Sequence, residues 1–145
     1  MKRFIFLLSV VVSVALSLSA YADQHNYKKH GDYKVFFSAF NSTFINPDMA
    51  VANQIVRGKD KGLVNIALVL EAGKGQPAVI SGKVFNIFQM SQELEFFEVR
   101  EQETIYYLAP FEFENEDFLT FKISVQPTTG EPAYQLKFQK KMYHD

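Results

Sequence analysis

A two-residue period constrains this chain more than any other feature. In residues 119–125, Leu119, Phe121, Ile123 and Val125 alternate with Thr120, Lys122 and Ser124. In residues 134–139, Tyr134, Leu136 and Phe138 alternate with Gln135, Lys137 and Gln139. Successive strand side chains point to opposite faces, so each stretch predicts one apolar and one wetted face. Residues 63–70 repeat the signal, with Val64, Ile66, Leu68 and Leu70 in one phase. Further strands are predicted over 32–44, 78–88, 92–100 and 104–113. In the first of these, Val35 and Phe37 share one face and Phe36 and Phe40 the other, so both faces should be covered. Gly82 is a candidate bulge or close approach, and a bulge near Phe96 and Phe97 would reconcile two phases. Pro110 should interrupt the ladder or mark an edge.

Asn46-Pro47-Asp48 supplies a helix N-cap, a proline at the first helical position and a carboxylate at the positive end. A short helix from Pro47 to about Ile55 is expected. Seven strands with one short helix after the first predict an all-β fold, a single antiparallel β-sandwich of immunoglobulin-like type. Cys and Trp are both absent, which rules out the antibody form with its disulfide and buried Trp. It also rules out thiolate metal sites and a cysteine nucleophile. With 15 Phe in 145 residues, the core is expected to be built from phenylalanine. The polar residues 23–31 should be frayed.

The N-terminus reads as an address. Met1-Lys2-Arg3 is basic, residues 4–18 are apolar apart from three serines, and Ala20-Tyr21-Ala22 has the small-x-small pattern of a cleavage site. The apolar run is short for a membrane span. Residues 1–22 are therefore read as a signal peptide and 23–145 as the sandwich domain, exported to a periplasm. Loss of Lys2 and Arg3 takes the net charge from −1 to −3. That balance argues against a protein that grips nucleic acid by its phosphates, and nothing after the leader predicts a membrane span.

Candidate chemistry is sparse. His25, His30 and His144 lie near the termini at spacings that match no rigid ligand set, and read as solvated. Glu112, Glu114, Glu116 and Asp117 cluster at one turn without a calcium-loop glycine. Spacing by two puts Glu112 and Glu114 on one face with Phe111 and Phe113 on the other, so the acids read as a wet surface. Ser42 and Thr43 have no partner base and should satisfy backbone groups where the first strand ends. Gly73-Lys74-Gly75 reads as a hairpin turn. No catalytic residues, metal site or cofactor are expected. Four residues are candidate binding contacts. Arg57 lies in a reachable Gly- and Lys-rich loop, where it could recognise a carboxylate or pair with Asp60 or Glu98. Asn41 stands beside Ser42 and Thr43, and the adjacent Tyr106 and Tyr107 must face opposite sides, one toward the core.

Several stretches recur together in order and spacing: Ala39-Phe40-Asn41-Ser42-Thr43-Phe44, Ile55-Val56-Arg57, Gly62-Leu63-Val64-Asn65-Ile66, Ile105-Tyr106-Tyr107-Leu108 and Val125-Gln126-Pro127. In these the chain resembles the DUF4426 family of exported proteins of Gram-negative bacteria, over essentially all of 23–145. The resemblance implies a single β-sandwich domain in the periplasm. It brings no activity, cofactor or partner, so no functional residue is carried over from it.

The sequence thus points to a non-enzymatic binding or accessory module with a protein partner. The alternative is a carrier holding a small apolar ligand between Phe-rich sheets. Export is directly checkable: N-terminal sequencing of protein from the periplasmic fraction should begin at Asp23. An intact Met1 in the cytosol would contradict it.

Overall fold

The alternating stretches do form strands, but the backbone divides them more finely than their periodicity suggests. A computed structural model describes residues 26–145; the expected signal peptide over 1–22 and His25 lie outside the described residues. The elements are β1 (Tyr27–His30), β2 (Tyr33–Asn41), a 3-10 turn (Ser42–Phe44), α1 (Pro47–Ala52), β3 (Lys61–Leu70), β4 (Gly75–Gln76), β5 (Ala78–Phe85), β6 (Ser91–Leu94), β7 (Phe97–Glu101), β8 (Thr104–Glu112), β9 (Asp117–Pro127) and β10 (Tyr134–Met142). They build two antiparallel sheets. The larger runs β1-β2-β3-β8-β7, with β4 paired to β3, and the smaller runs β10-β9-β5-β6.

Four departures from the sequence reading have local causes. Residues 27–30, expected to fray, pair with β2 through a turn at Gly31, whose φ of 59° suits glycine. The first strand stops at Asn41, because the chain turns there into Ser42–Phe44. The helix is capped as expected, the Asn46 side chain accepting from the Asp48 N–H at 2.8 Å. It stops at Ala52, however, and Gln54 takes a φ of 57°. Finally, 92–100 is two strands and not one bulged strand. β6 pairs with β5 in the smaller sheet, and after Glu95 and Phe96 the chain continues as β7 beside β8 in the larger. The two apolar phases of 92–100 belong to two different sheets.

Pro110 sits inside β8, opposite Leu63 of β3. Pairing with β7 ends at Leu108, so one side of β8 is open beyond that residue. The Gln92 side chain fills part of the gap, donating to the Glu112 carbonyl at 2.6 Å and accepting from the Glu112 N–H at 2.8 Å. Residues two apart turn their backbone groups the same way, so the missing Pro110 N–H falls on this open side and costs no ladder bond. Gly82 is a close approach and not a bulge. Its register runs unbroken to Ile123, and a Cβ there would meet the Lys122 carbonyl oxygen at 2.6 Å.

The space between the sheets is filled by aromatic rings. Phe37 of β2 lies 4.6 Å from Phe138 of β10, and Phe138 stacks on Phe121 of β9 at 4.7 Å. Phe121 meets Phe111 of β8 edge-on at 5.2 Å, and Phe111 lies 6.0 Å from Phe113. Phe111 fits because its cross-strand neighbour is Gly62, where a Cβ would stand 2.3 Å from the ring. Val35, Val64, Ile66, Leu119, Ile123, Val125 and Leu136 complete the core.

Phe121 is 0% exposed. Phe121→Ala should destabilise the protein by about 3–5 kcal/mol through lost transfer energy and a residual cavity. Lys122, one residue on, points outward with its ammonium 5.0 Å from the Phe85 ring, so Lys122→Ala should cost no more than about 1 kcal/mol. Denaturant melts of the two variants check the phase of β9; equal losses would reverse it.

Candidate functional site

The loops 42–60, 86–90, 113–116 and 143–145 all lie at one end of the sheets, because the strands that flank them end there in register. The β5–β6 turn at this end is built by one side chain. The Asn86 Oδ1 accepts from the Phe88 and Met90 N–H groups, both at 3.0 Å, and Gln89 takes a φ of 63°. This Asx-type turn leaves Ile87, Phe88 and Met90 at 63%, 77% and 64% exposure. Of these, Ile87 and Phe88 were expected to extend strand β5. Asn86 was the available signal, a turn-forming residue interrupting an apolar run. Phe44, Val51, Val56 and Tyr143 are further large apolar side chains exposed at the same end.

Between these loops run two open grooves. One, of about 670 Å³, is lined by Asp60, Phe88, Met90, Phe113, Asp117 and His144 among others. The other, of about 310 Å³, is lined by Ile55, Val56, Phe97, Pro110 and Phe111. Gln92 and Glu112 line both. Glu112 pairs with Lys61 at 3.0 Å, and this hydrogen bond, with the Asp60 charge beside it, holds the Lys61 ammonium above its ordinary pKa. Glu112 and Glu114 face water while Phe111 and Phe113 are buried, as the spacing indicated.

Asn41 and Arg57 come together at this end, but as fasteners. The Asn41 Nδ2 donates to the Tyr143 carbonyl at 2.8 Å and to the Asp145 carboxylate at 2.7 Å, and the residue is buried. Both amide hydrogens of this candidate contact are therefore engaged with the C-terminal tail. Thr43 donates to the same carboxylate. Ser42 donates to the Gly58 carbonyl at 3.1 Å and accepts from the Gly58 N–H at 3.0 Å. The exposed Arg57 makes neither ion pair considered for it. Its Nη2 donates to the Thr43 carbonyl at 3.0 Å, while Glu98 is bound by Arg100, which lowers the Glu98 pKa.

The two tyrosines part company as expected. Tyr107 faces the core, and its hydroxyl accepts from the Ala78 N–H at 3.0 Å where the chain crosses from β4 to β5. Of this candidate contact, the ring is buried and the hydroxyl is engaged within the fold. Burial pushes its phenol above the ordinary value near 10, the Glu98 charge adds to this, and the Ala78 bond opposes it. Tyr106 is half-buried on the outer face of the larger sheet. The histidines occupy opposite ends and are not simply solvated: His30 stacks on Tyr134 at 4.8 Å, and His144 meets Phe113 edge-on at 5.5 Å. Among the described residues, no three His, Asp or Glu side chains gather in ligating positions.

Two antiparallel sheets with a ring-filled interior and an apolar loop end define the class, an all-β domain whose accessible features lie on its surface. The chain belongs to the family described as a domain of unknown function, DUF4426, which matches residues 27–145. It is similar to a DUF4426 family protein of Pseudomonas aeruginosa PAO1, with 34% identity and a TM-score of 0.75 over 86% of this chain and 99% of that one. It also resembles FetP of uropathogenic E. coli strain F11, with 12% identity and a TM-score of 0.61 over 83% of this chain and 95% of that one. The second likeness is one of fold alone. Among curated proteins, none matches the sequence.

Tyr107→Phe removes the partner of a buried N–H and should cost about 1–3 kcal/mol, whereas Tyr106→Phe should change stability by less than about 0.5 kcal/mol. The folded chain holds the Tyr107 proton more tightly than the unfolded chain. That contribution is therefore complete below about pH 10 and fades as pH rises past it. Melts at pH 7 and pH 10.5 check both statements.

Proposed function

We propose that this protein is a non-enzymatic, exported module of the periplasm that contacts a protein partner through its loop end. The observation that carries the reading is the exposure of Ile87, Phe88 and Met90 on one short turn, with Phe44 and Val56 exposed at the same end. Large apolar side chains grouped on a surface mark interaction sites, and aromatic and Met side chains are enriched in protein interfaces. The fasteners at this end, Asn41, Ser42 and Arg57, keep the 42–60 loop and the C-terminal tail in place before binding, which lowers the cost of association.

The periplasmic assignment rests on the basic, apolar and small-residue pattern of 1–22. FetP, the fold relative, was itself expressed in a periplasm. Among the described residues, no helix is long and apolar enough to cross a membrane. An immunoglobulin-like sandwich is supported by the strand order: β2-β3-β8-β7 against β10-β9-β5-β6 follows the A-B-E-D and G-F-C pattern, with β6 added beside β5. The alternative, a ligand held between the sheets, has less support because phenylalanine rings occupy that space.

A photo-crosslinking residue placed at Phe88 in the exported protein should give one discrete adduct in cells. The same residue at Val79, exposed on β5 away from the loop end, should give none. Equal adduct patterns from both positions, or none from Phe88, would remove the basis for the reading.

A further inference from the structure

The outer face of the smaller sheet carries a row of like charges. Lys137 of β10 stands directly opposite Lys122 of β9, and Lys122 directly opposite Lys83 of β5. Like charges placed opposite one another on neighbouring strands destabilise a sheet. Glu93 of β6 ends the row and pairs with Lys83 at 3.3 Å. Among the described residues, Lys122 and Lys137 make no ion pair. Lys28 reaches over from β1 and brings a further ammonium to the row, 3.3 Å from the Lys137 carbonyl oxygen. The neighbouring pairs on β9 and β10 are neutral: Gln139 bonds Thr120 on one side, and Gln135 bonds Ser124 on the other. Positive charge is thus gathered on one face of a chain whose formal net charge is −1. Where this face meets the loop end, Lys141 stands opposite Phe118, its ammonium 5.5 Å from the Tyr143 ring. Phe118 and Tyr143 are 42% and 53% exposed.

We propose that this face lies against the surface of an anionic phospholipid membrane. Neighbouring strands are about 4.8 Å apart, so lipid phosphates seated between the ammonium groups relieve the repulsion along the row. The aromatic rings beside it favour a lipid surface over a soluble anion. Such rings settle at headgroup level in a bilayer interface, whereas a soluble phosphate gives them nothing to contact. Each lysine near an anionic surface is worth roughly fivefold in partitioning. The contact is peripheral, and it stands independently of the partner proposed for the loop end.

The test is co-sedimentation of the purified protein, expressed from the full-length chain, with vesicles of phosphatidylcholine alone or mixed with an equal part of phosphatidylglycerol. Binding to the mixed vesicles only is expected at low salt, and it should disappear as salt rises from about 0.05 M to 0.5 M. The combined variant Lys83→Gln, Lys122→Gln, Lys137→Gln should bind the mixed vesicles roughly 100-fold more weakly. The combined variant Lys29→Gln, Lys34→Gln, Lys74→Gln changes the net charge equally away from this face, and should weaken binding by less than about fivefold. If the first variant fails to fold, the lipid and salt dependence of the wild type still decide the matter. No binding to mixed vesicles overturns the proposal, as does equal binding to both compositions or an equal loss from the two variants. Binding of polyphosphate in solution without binding of mixed vesicles would assign the row to a soluble anion and overturn it equally.

Discussion

The contact on which the rest of this structure depends is the run of phenylalanine rings between the two sheets. Phe37, Phe138, Phe121 and Phe111 pass from the larger sheet to the smaller and back. Stacked and edge-on rings of this kind add to the hydrophobic gain of burying them. They also set positions. Phe111 lies where it does because Gly62 leaves room, and a Cβ at Gly62 would displace the ring. Once those rings are seated, the phase of β2, β8, β9 and β10 follows, because a one-residue slip would turn every ring toward water. The same rings occupy the space between the sheets.

Joining the sheets poses a second problem, since each crossing of the chain leaves backbone groups without strand partners. The fold answers with side chains. Where β4 gives way to β5, the Tyr107 hydroxyl takes the Ala78 N–H. Where β6 gives way to β7, the end of β8 is left open, and the Gln92 amide serves both backbone groups of Glu112. At the loop end, Ser42 serves both groups of Gly58, and Asn41 holds the C-terminal tail. These polar fasteners pair backbone groups that the ladders leave without strand partners.

What was legible in the sequence follows from range. Phe121, Ile123 and Val125 declare their burial through a period that needs only their neighbours. The cap at Asn46 is local too. The strand at 27–30 was hidden because its polar residues form an outer edge, and such an edge has no apolar face to advertise. The break at Glu95 and Phe96 looked like a bulge because a change of sheet and a bulge shift the apolar phase alike. The roles of the candidate site residues were out of reach for a stronger reason. Asn41 bonds residues 102 and 104 positions away, and no local pattern encodes that pairing. Asn65 sits in the phase opposite the core, where a polar residue reads as solvated. Its Oδ1 is instead shut off from solvent.

An unmet demand for burial therefore remains on the surface. At the loop end, the Asn86 turn holds Ile87, Phe88 and Met90 in water although serine or lysine would satisfy the same backbone. Their exposure is a demand for apolar area, which any adaptable partner surface with a matching pocket can meet.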